Sequence, residues 1–355
     1  MSSHMRLLQL LSYVVLSQGL SFSVSSIYNQ RRTTLFARSM SRRVTLSSAT
    51  SLFFTAFGPV SSSRASASAS AVPTPAMSDI PFPTRPRYRD QDVSMVYSES
   101  TAEGPRTRGF LVRRYTGEST PYKFSSSPVR LVKKWPDKMP FTRQDFSRSD
   151  EHKDNEFYAV PRFVYHIDEG SVSALTNYYK NNIQPNSSIL DIASSWVSHY
   201  PVSFPTMMKR ISGCGMNKFE MMANDQLNDY TTKDLNERDS NNADLPPELP
   251  YADNTFDVVT CVVSIDYMIH PIEVLKEVHR VLKPGGKAIL SQSNRCFPSK
   301  AVNMWLGMND RQHLELINGY FQYAGGFDDR LAFDISAKGG DANDPMFIIQ
   351  ASKSS

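Results

Sequence analysis

The stretch from Phe256 to Asn294 leaves the fewest folds open. An apolar, β-branched run, "FDVVTCVVSI" (256–265), leads into "HPIEVLKEVHRVLKPGG" and then "KAILSQSN". The first segment is short and apolar throughout, as a strand covered on both faces must be. The second is a helix: Pro271 sits in its first turn, Ile272, Leu275, Val278 and Leu282 share one stripe, and Pro284-Gly285-Gly286 is the stop signal. The third is a further strand. A strand, a helix and a strand in that order return as a parallel pair with the helix on one face.

The same alternation starts earlier. Residues 171–183 read as a helix, "SSILDIA" (187–193) as a buried strand, "MKRISGCGM" (208–216) as a second and "TTKDLN" (231–236) as a short third. A helix is expected to start at Ser194 or Ser195, either of which can cap it. Helical stretches at 299–308 and 310–323 follow, with Gly325-Gly326 stopping the second, and the C-terminal segment reads as two strands joined by a turn. The expected fold is α/β: a mostly parallel sheet with helices on both faces and an antiparallel C-terminal hairpin. In such sheets ligands bind beyond the carboxyl ends of the strands, where the strand order reverses.

The first 71 residues have a different composition. They hold seven arginines and no lysine, aspartate or glutamate. The apolar run Leu7–Leu20 follows a single arginine, as in a signal peptide. The Ser- and Arg-rich segment after it has transit-peptide composition. Ser41-Arg42-Arg43-Val44 precedes a mildly apolar stretch and Ala-x-Ala sites, a pattern like a twin-arginine signal. The reading is a bipartite plastid presequence of an alga, with stroma and thylakoid lumen both open as destinations. A Pro-rich linker spans 72–92. Residues 93–156 form an extension in which "GFLVRRY" and "VRLVKKW" suggest short strands.

Beyond residue 71 the chain carries 32 basic and 35 acidic residues, a net −3. A mildly acidic body without a basic tract argues against a nucleic-acid partner. Cys214, Cys261 and Cys296 show no metal-ligand spacing, and no metal is expected. No stable membrane span is expected in the mature form, and the oligomeric state is open.

The segment "LPYADNTFDVVTCVVSIDYMIHPIEVLKEVHRVLKPGG" (249–286) resembles the core of class I S-adenosylmethionine (SAM) dependent methyltransferases of the type 11 group. The resemblance covers about 157–351 and implies a Rossmann-like methyltransferase fold with a seven-stranded sheet. "DIASSWVSHYP", "GCGMN" and "SNRCFPSKAV" are similar to a branch found in bacteria and plastids, in which Ser-Ser-Trp stands where glycines usually do. The resemblance implies SAM as cofactor and a small-molecule methyl acceptor.

It also implies roles for particular residues. Asp191, ending the first strand, is expected at the methionine part of SAM, and Ser194 and Ser195 replace the glycine loop that lets a carboxylate approach a helix start. The acid that usually binds the ribose falls on Gly215. Asn217 is the candidate in its place, with Glu220 in reserve. Asp234 and Leu235 are expected at the adenine and Ser264 under the cofactor. For the acceptor, Asp266 and His166 are candidate bases and Tyr267 an orienting residue, while Asn294, Arg295, Asp168 and His270 are candidate substrate contacts. Most of these side chains have ordinary structural uses as well, capping or turning the chain.

Two rivals come from other classes. A scaffold or assembly protein could keep the fold and lose the cofactor. A nicotinamide dehydrogenase would need G-x-G-x-x-G after the first strand, which is absent.

Overall fold

The computed structural model describes the backbone of residues 92–101 and 104–113 and all atoms of 121–241, 243–340 and 342–355. All of these belong to the unit 77–355. The presequence 1–71 lies outside the described residues, as does the linker up to residue 91.

Strands β1 (Asp92–Thr101) and β2 (Gly104–Arg113) pair antiparallel as a separate two-stranded sheet. The main sheet has eight strands: β3 (Ser127–Val129), β4 (Ser188–Ile192), β5 (Arg210–Gly215), β6 (Asp229–Thr232), β7 (Phe256–Val262), β8 (Leu282–Gln292), β9 (Phe327–Asp334) and β10 (Phe347–Lys353). Their order is β3-β9-β10-β8-β7-β4-β5-β6. Strands β8, β7, β4, β5 and β6 run parallel; β10 is antiparallel to β8 and β9, and β9 to β3. The expected Rossmann-like sheet with its terminal hairpin is present. It has eight strands rather than seven, because Ser127–Val129 of the extension pairs with Ala332–Asp334.

The helices are α1 (Asp154–Phe157), α2 (Glu169–Asn182), α3 (Phe204–Met207), α4 (Lys218–Ala223), α5 (Pro271–Val281), α6 (Asn303–Leu306) and α7 (Asp310–Ala324). Alternate strand residues serve opposite faces, as the two-residue period demands. Ile189, Val258, Ile289 and Ile348 pack with Val172, Leu175 and Tyr179 of α2. Their neighbours Leu190, Val259, Leu290 and Ile349 pack with Leu275 and Val278 of α5 and with Ile317 and Phe321 of α7. Leu275 and Val278 are fully buried, each worth roughly 2 kcal/mol of transfer free energy.

Three local expectations are corrected. No helix starts at Ser194 or Ser195; the chain stays irregular until the single turn α3. The hydroxyls that would cap a helix there are turned onto other carboxylates, and Pro201 and Pro205 interrupt the segment. Helix α5 ends at Val281, and β8 has already begun at Leu282. Lys283–Gly286 are accommodated by a register shift opposite Phe256–Val258, with Gly285 at φ 74°. The stretch 299–308 holds only the four-residue α6, whereas α7 forms with a capping box at Asn309 and Gln312 and stops at Gly325.

The extension is woven into the domain. Trp135 lies against Gly319 of α7, where an added Cβ would come within 3.0 Å of the ring. Arg148 Nη1 donates to both carboxylate oxygens of Asp154 at 2.8–2.9 Å, and Lys300, itself fully buried, reaches Asp154 at 3.1 Å. The Lys300 ammonium also donates to the carbonyl oxygen of His152 at 2.7 Å.

Candidate functional site

The strand order reverses between β4 and β7. Past the carboxyl ends of these strands lies a cavity of about 250 Å³. Its walls come from the loop after β4, the ends of β5 and β6, the loops after β7 and β8, and a strap, residues 158–167, from ahead of α2.

Asp191, the last residue but one of β4, is 3 % exposed and lines the cavity. Its Oδ2 accepts from Ser194 Oγ at 2.8 Å and Ser198 Oγ at 2.6 Å, and its Oδ1 from Thr260 Oγ1 at 3.2 Å. Burial pushes this carboxyl up to about 6, while the hydroxyl donors pull it down. Ser195 points elsewhere, donating from Oγ to Glu220 Oε2 at 2.7 Å. The loop therefore spends side-chain hydroxyls on holding two carboxylates. Its backbone is bent accordingly: Ala193 stands at φ 53° and His199 at φ 58°, and across the cavity Val263 stands at φ 39°. Left-handed backbone in non-glycine residues is uncommon, and for a β-branched valine it is an outlier that concentrates at functional sites.

At the end of β5 the chain makes room for this loop. A Cβ on Gly215 would fall 2.0 Å from the Ser194 carbonyl oxygen, so glycine is required by close approach. Asn217 lines the cavity, but its amide is committed: Oδ1 caps α4 by accepting from the amides of Phe219 and Glu220, and Nδ2 donates to the carbonyl oxygens of Tyr158 and Ala159. One turn later Glu220 comes back to the cavity, 7 % exposed, with burial raising its carboxyl. Its Oε1 accepts from the amide of Arg162 at 2.6 Å. After β6, Asp234 lines the cavity beside the buried Leu235. Asp234 Oδ1 accepts from the amide of Asn236 at 2.8 Å, and burial again raises this carboxyl. Ser264 lines the cavity with Oγ turned back onto the carbonyl oxygen of Val262.

The other wall is aromatic. Phe297 lies 5.1 Å from the His166 ring, 5.4 Å from Phe157 and 5.9 Å from Tyr267, and its amide donates to Tyr267 Oη at 2.9 Å. The Arg162 guanidinium sits 4.4 Å over Phe157 and 5.6 Å from Phe297. His166 is exposed, to the cavity it lines, and the protein packed around that cavity still desolvates the ring. Burial first, then the Arg162 charge, press its imidazole down to about 4.

Residues 213–290 match the family model described as a methyltransferase domain. The matched segment runs from β5 into β8 and is similar to type 11 methyltransferases. It is 48% identical over 48 residues to a demethylmenaquinone methyltransferase of Alkalihalophilus pseudofirmus, 14% of this chain and 20% of that protein. It is 41% identical over 61 residues to the mitochondrial 2-methoxy-6-polyprenyl-1,4-benzoquinol methylase of Bos taurus, 16% and 18% of the two chains. The matched segments thus span about a fifth of these curated relatives. The Haemonchus contortus phosphoethanolamine N-methyltransferase 2, solved with S-adenosyl-L-methionine, aligns at a TM-score of 0.38 and 14% identity, covering 54% of each chain. A SAM-dependent methyltransferase from Aquifex aeolicus aligns at 0.36 and 12% identity, over 51% of this chain and 89% of that one.

The structure gathers Asp191, Ser194, Ser195, Asn217, Asp234, Leu235, Ser264, His166, Tyr267 and Arg295 around one cavity. Four sequence candidates lie elsewhere. Asp266 follows β7 in a 3-10 turn that buries its side chain to 2 % exposure behind the wall. Neither carboxylate oxygen has a hydrogen-bond partner among the described residues, and burial pushes this acid well above the usual range. Asn294 is exposed outside the cavity. Asp168 caps α2, accepting from the amides of Ser171, Asn343 and Asp344. His270 lies 3.2 Å from Asp244 in a separate cluster with Arg143 and Arg238. Arg295 reaches the cavity while its guanidinium pairs with Asp344 at 2.7 Å.

His199, Arg162, Trp196 and Phe297 also line the cavity, and the sequence assigned none of them a role. His199 and Trp196 fall within "DIASSWVSHYP" and Phe297 within "SNRCFPSKAV", but as loop residues they follow no period. Trp196 Nε1 donates to the carbonyl oxygen of Val164, tying the loop after β4 to the strap at 3.1 Å.

Proposed function

We propose that this domain is a SAM-dependent methyltransferase acting on a small-molecule acceptor, and that residues 1–71 address it to a plastid. The observation that carries the catalytic reading is the row of three carboxylates, Asp191, Glu220 and Asp234, lining one cavity beyond β4, β5 and β6. That row fits the three parts of the cofactor. Asp191 lies by the amino-acid end. Glu220 stands for the ribose acid in place of Asn217, whose amide is spent on capping. Each Glu220 oxygen accepts one protein hydrogen bond and retains a lone pair for a diol. Asp234 Oδ2 has no hydrogen bond among the described residues and can accept from an exocyclic amine.

When bound, the cofactor supplies a methyl group already activated on sulfur. The chain's part is then alignment and exclusion of water. His166 is kept unprotonated by its walls and by Arg162, so its imidazole can take the proton from an acceptor hydroxyl. Tyr267 and Phe297 offer an aromatic wall beside it, their rings tilted by 32° to each other. That wall supports a planar hydroxylated acceptor, and the quinol-modifying names of the similar proteins agree with it.

Incubation with methyl-labelled SAM and a panel of hydroquinones and phenols tests the reading. Transfer to at least one acceptor is expected, falling roughly 100-fold or more in His166→Ala. The scaffold reading has one observation in its favour, the saturation of Asp191 by the protein's own hydroxyls. SAM that neither binds nor transfers would favour it.

A further inference from the structure

His199 lines the cavity at its β4 end, in the same loop as Ser194 and Ser195. Its residue is 9 % exposed, and its Nδ1 is buried without a hydrogen-bond partner among the described residues. No other described group hydrogen-bonds the ring; its neighbour is the Tyr165 ring at 5.9 Å. The backbone is nevertheless pinned in place. Thr176 Oγ1 donates to the His199 carbonyl oxygen at 2.9 Å, and the Gln226 carboxamide oxygen accepts from the amides of Ser198 and Tyr200 on either side. A histidine held in left-handed backbone, with an unsatisfied ring at a cavity wall, is a group arranged for a ligand rather than for the fold.

Resting on the reading above, we propose that His199 binds the amino-acid end of the cofactor, its imidazole accepting a hydrogen bond from the α-ammonium. The neighbouring acceptors leave that place open. Asp191 is 3 % exposed and already takes three hydroxyl donors, so little of its capacity remains for an ammonium. The amides of Ser195 and Val197 carry no hydrogen bond among the described residues and suit the carboxylate beside it. An ammonium has only donors and needs an acceptor, and a neutral imidazole supplies one without adding a second positive charge near a sulfonium. Burial and the neighbouring His166 keep the imidazole unprotonated in ordinary buffers.

Calorimetry with two ligands tests this. S-adenosylhomocysteine carries the α-ammonium; its deaminated analogue lacks only that group. For His199→Ala we expect a 10- to 100-fold loss of affinity for the first and a change under about threefold for the second. Equal losses for both ligands, or none for either, overturn the proposal. His199→Asn, which tolerates left-handed backbone and keeps an acceptor oxygen, guards against a folding defect and is expected to recover part of the loss. If Asn recovers nothing while the fold is intact by circular dichroism, the proposal also fails. Absence of binding by the unaltered protein would instead remove the methyltransferase reading beneath it.

Discussion

Ser194 Oγ donates to Asp191 Oδ2 across 2.8 Å, inside a loop where a glycine turn would have been expected. The serine thus holds the strand-end carboxylate in place, and Ser198 does the same from the far side of the loop. Ser194→Ala and Ser198→Ala are each expected to cost about 1–3 kcal/mol, because each removes a donor from a buried carboxylate. Urea denaturation of the two variants measures this, and values near zero would show that the hydroxyls are not structural.

Ala193 makes the opposite prediction. At φ 53° it carries the strain that a glycine would relieve. Ala193→Gly is expected to stabilise by up to about 1 kcal/mol, the left-handed cost less the extra chain entropy of glycine. The same denaturation series reads it, and a loss of stability would contradict the strained geometry.

The sheet was legible because its signals are periodic and local. Ile189 and Leu190 go to opposite faces, as do Ile289 and Leu290, and the strand-end Asp191 follows directly from where β4 stops. The site was legible only where a strand end positions the residue. Glu220, held only in reserve, reaches the cavity because a helix turn folds back, and His199, which had no role in the sequence reading, because an irregular loop does; no spacing along the chain fixes either. Asp266 and Tyr267 show the limit at its finest: one step along a 3-10 turn separates a buried carboxyl from a cavity wall.

The extension's attachment is also testable. Lys300 is fully buried against Asp150 and Asp154. Lys300→Met removes the ammonium from both carboxylates, leaving Asp154 to Arg148 and Asn236 and Asp150 to His152, and a destabilisation of about 3–5 kcal/mol is expected, as for breaking a buried pair. A thermal melt little changed from that of the unaltered protein would mean that the cluster does not anchor residues 148–154.

The two cavity histidines should respond to pH unlike histidines free in water. Both are pressed down to about 4, so both are expected to remain neutral by nitrogen-detected NMR as pH falls through 6.5. Midpoints near 6.5 would contradict their environment. The unfolded chain protonates these rings first, so their contribution to stability is greatest above 6.5 and is lost as pH falls towards 4. Stability relative to His199→Asn should therefore decline over that interval.

Calorimetric titration with S-adenosylhomocysteine tests the central claim most directly. A single saturable site is expected, with a dissociation constant between about 1 μM and 1 mM. Glu220→Gln and Asp234→Asn should each weaken it roughly tenfold, the loss of a charge-assisted hydrogen bond. No heat at millimolar ligand, with the protein folded, would contradict the claim that the serine-bearing loop and its carboxylates form a cofactor site.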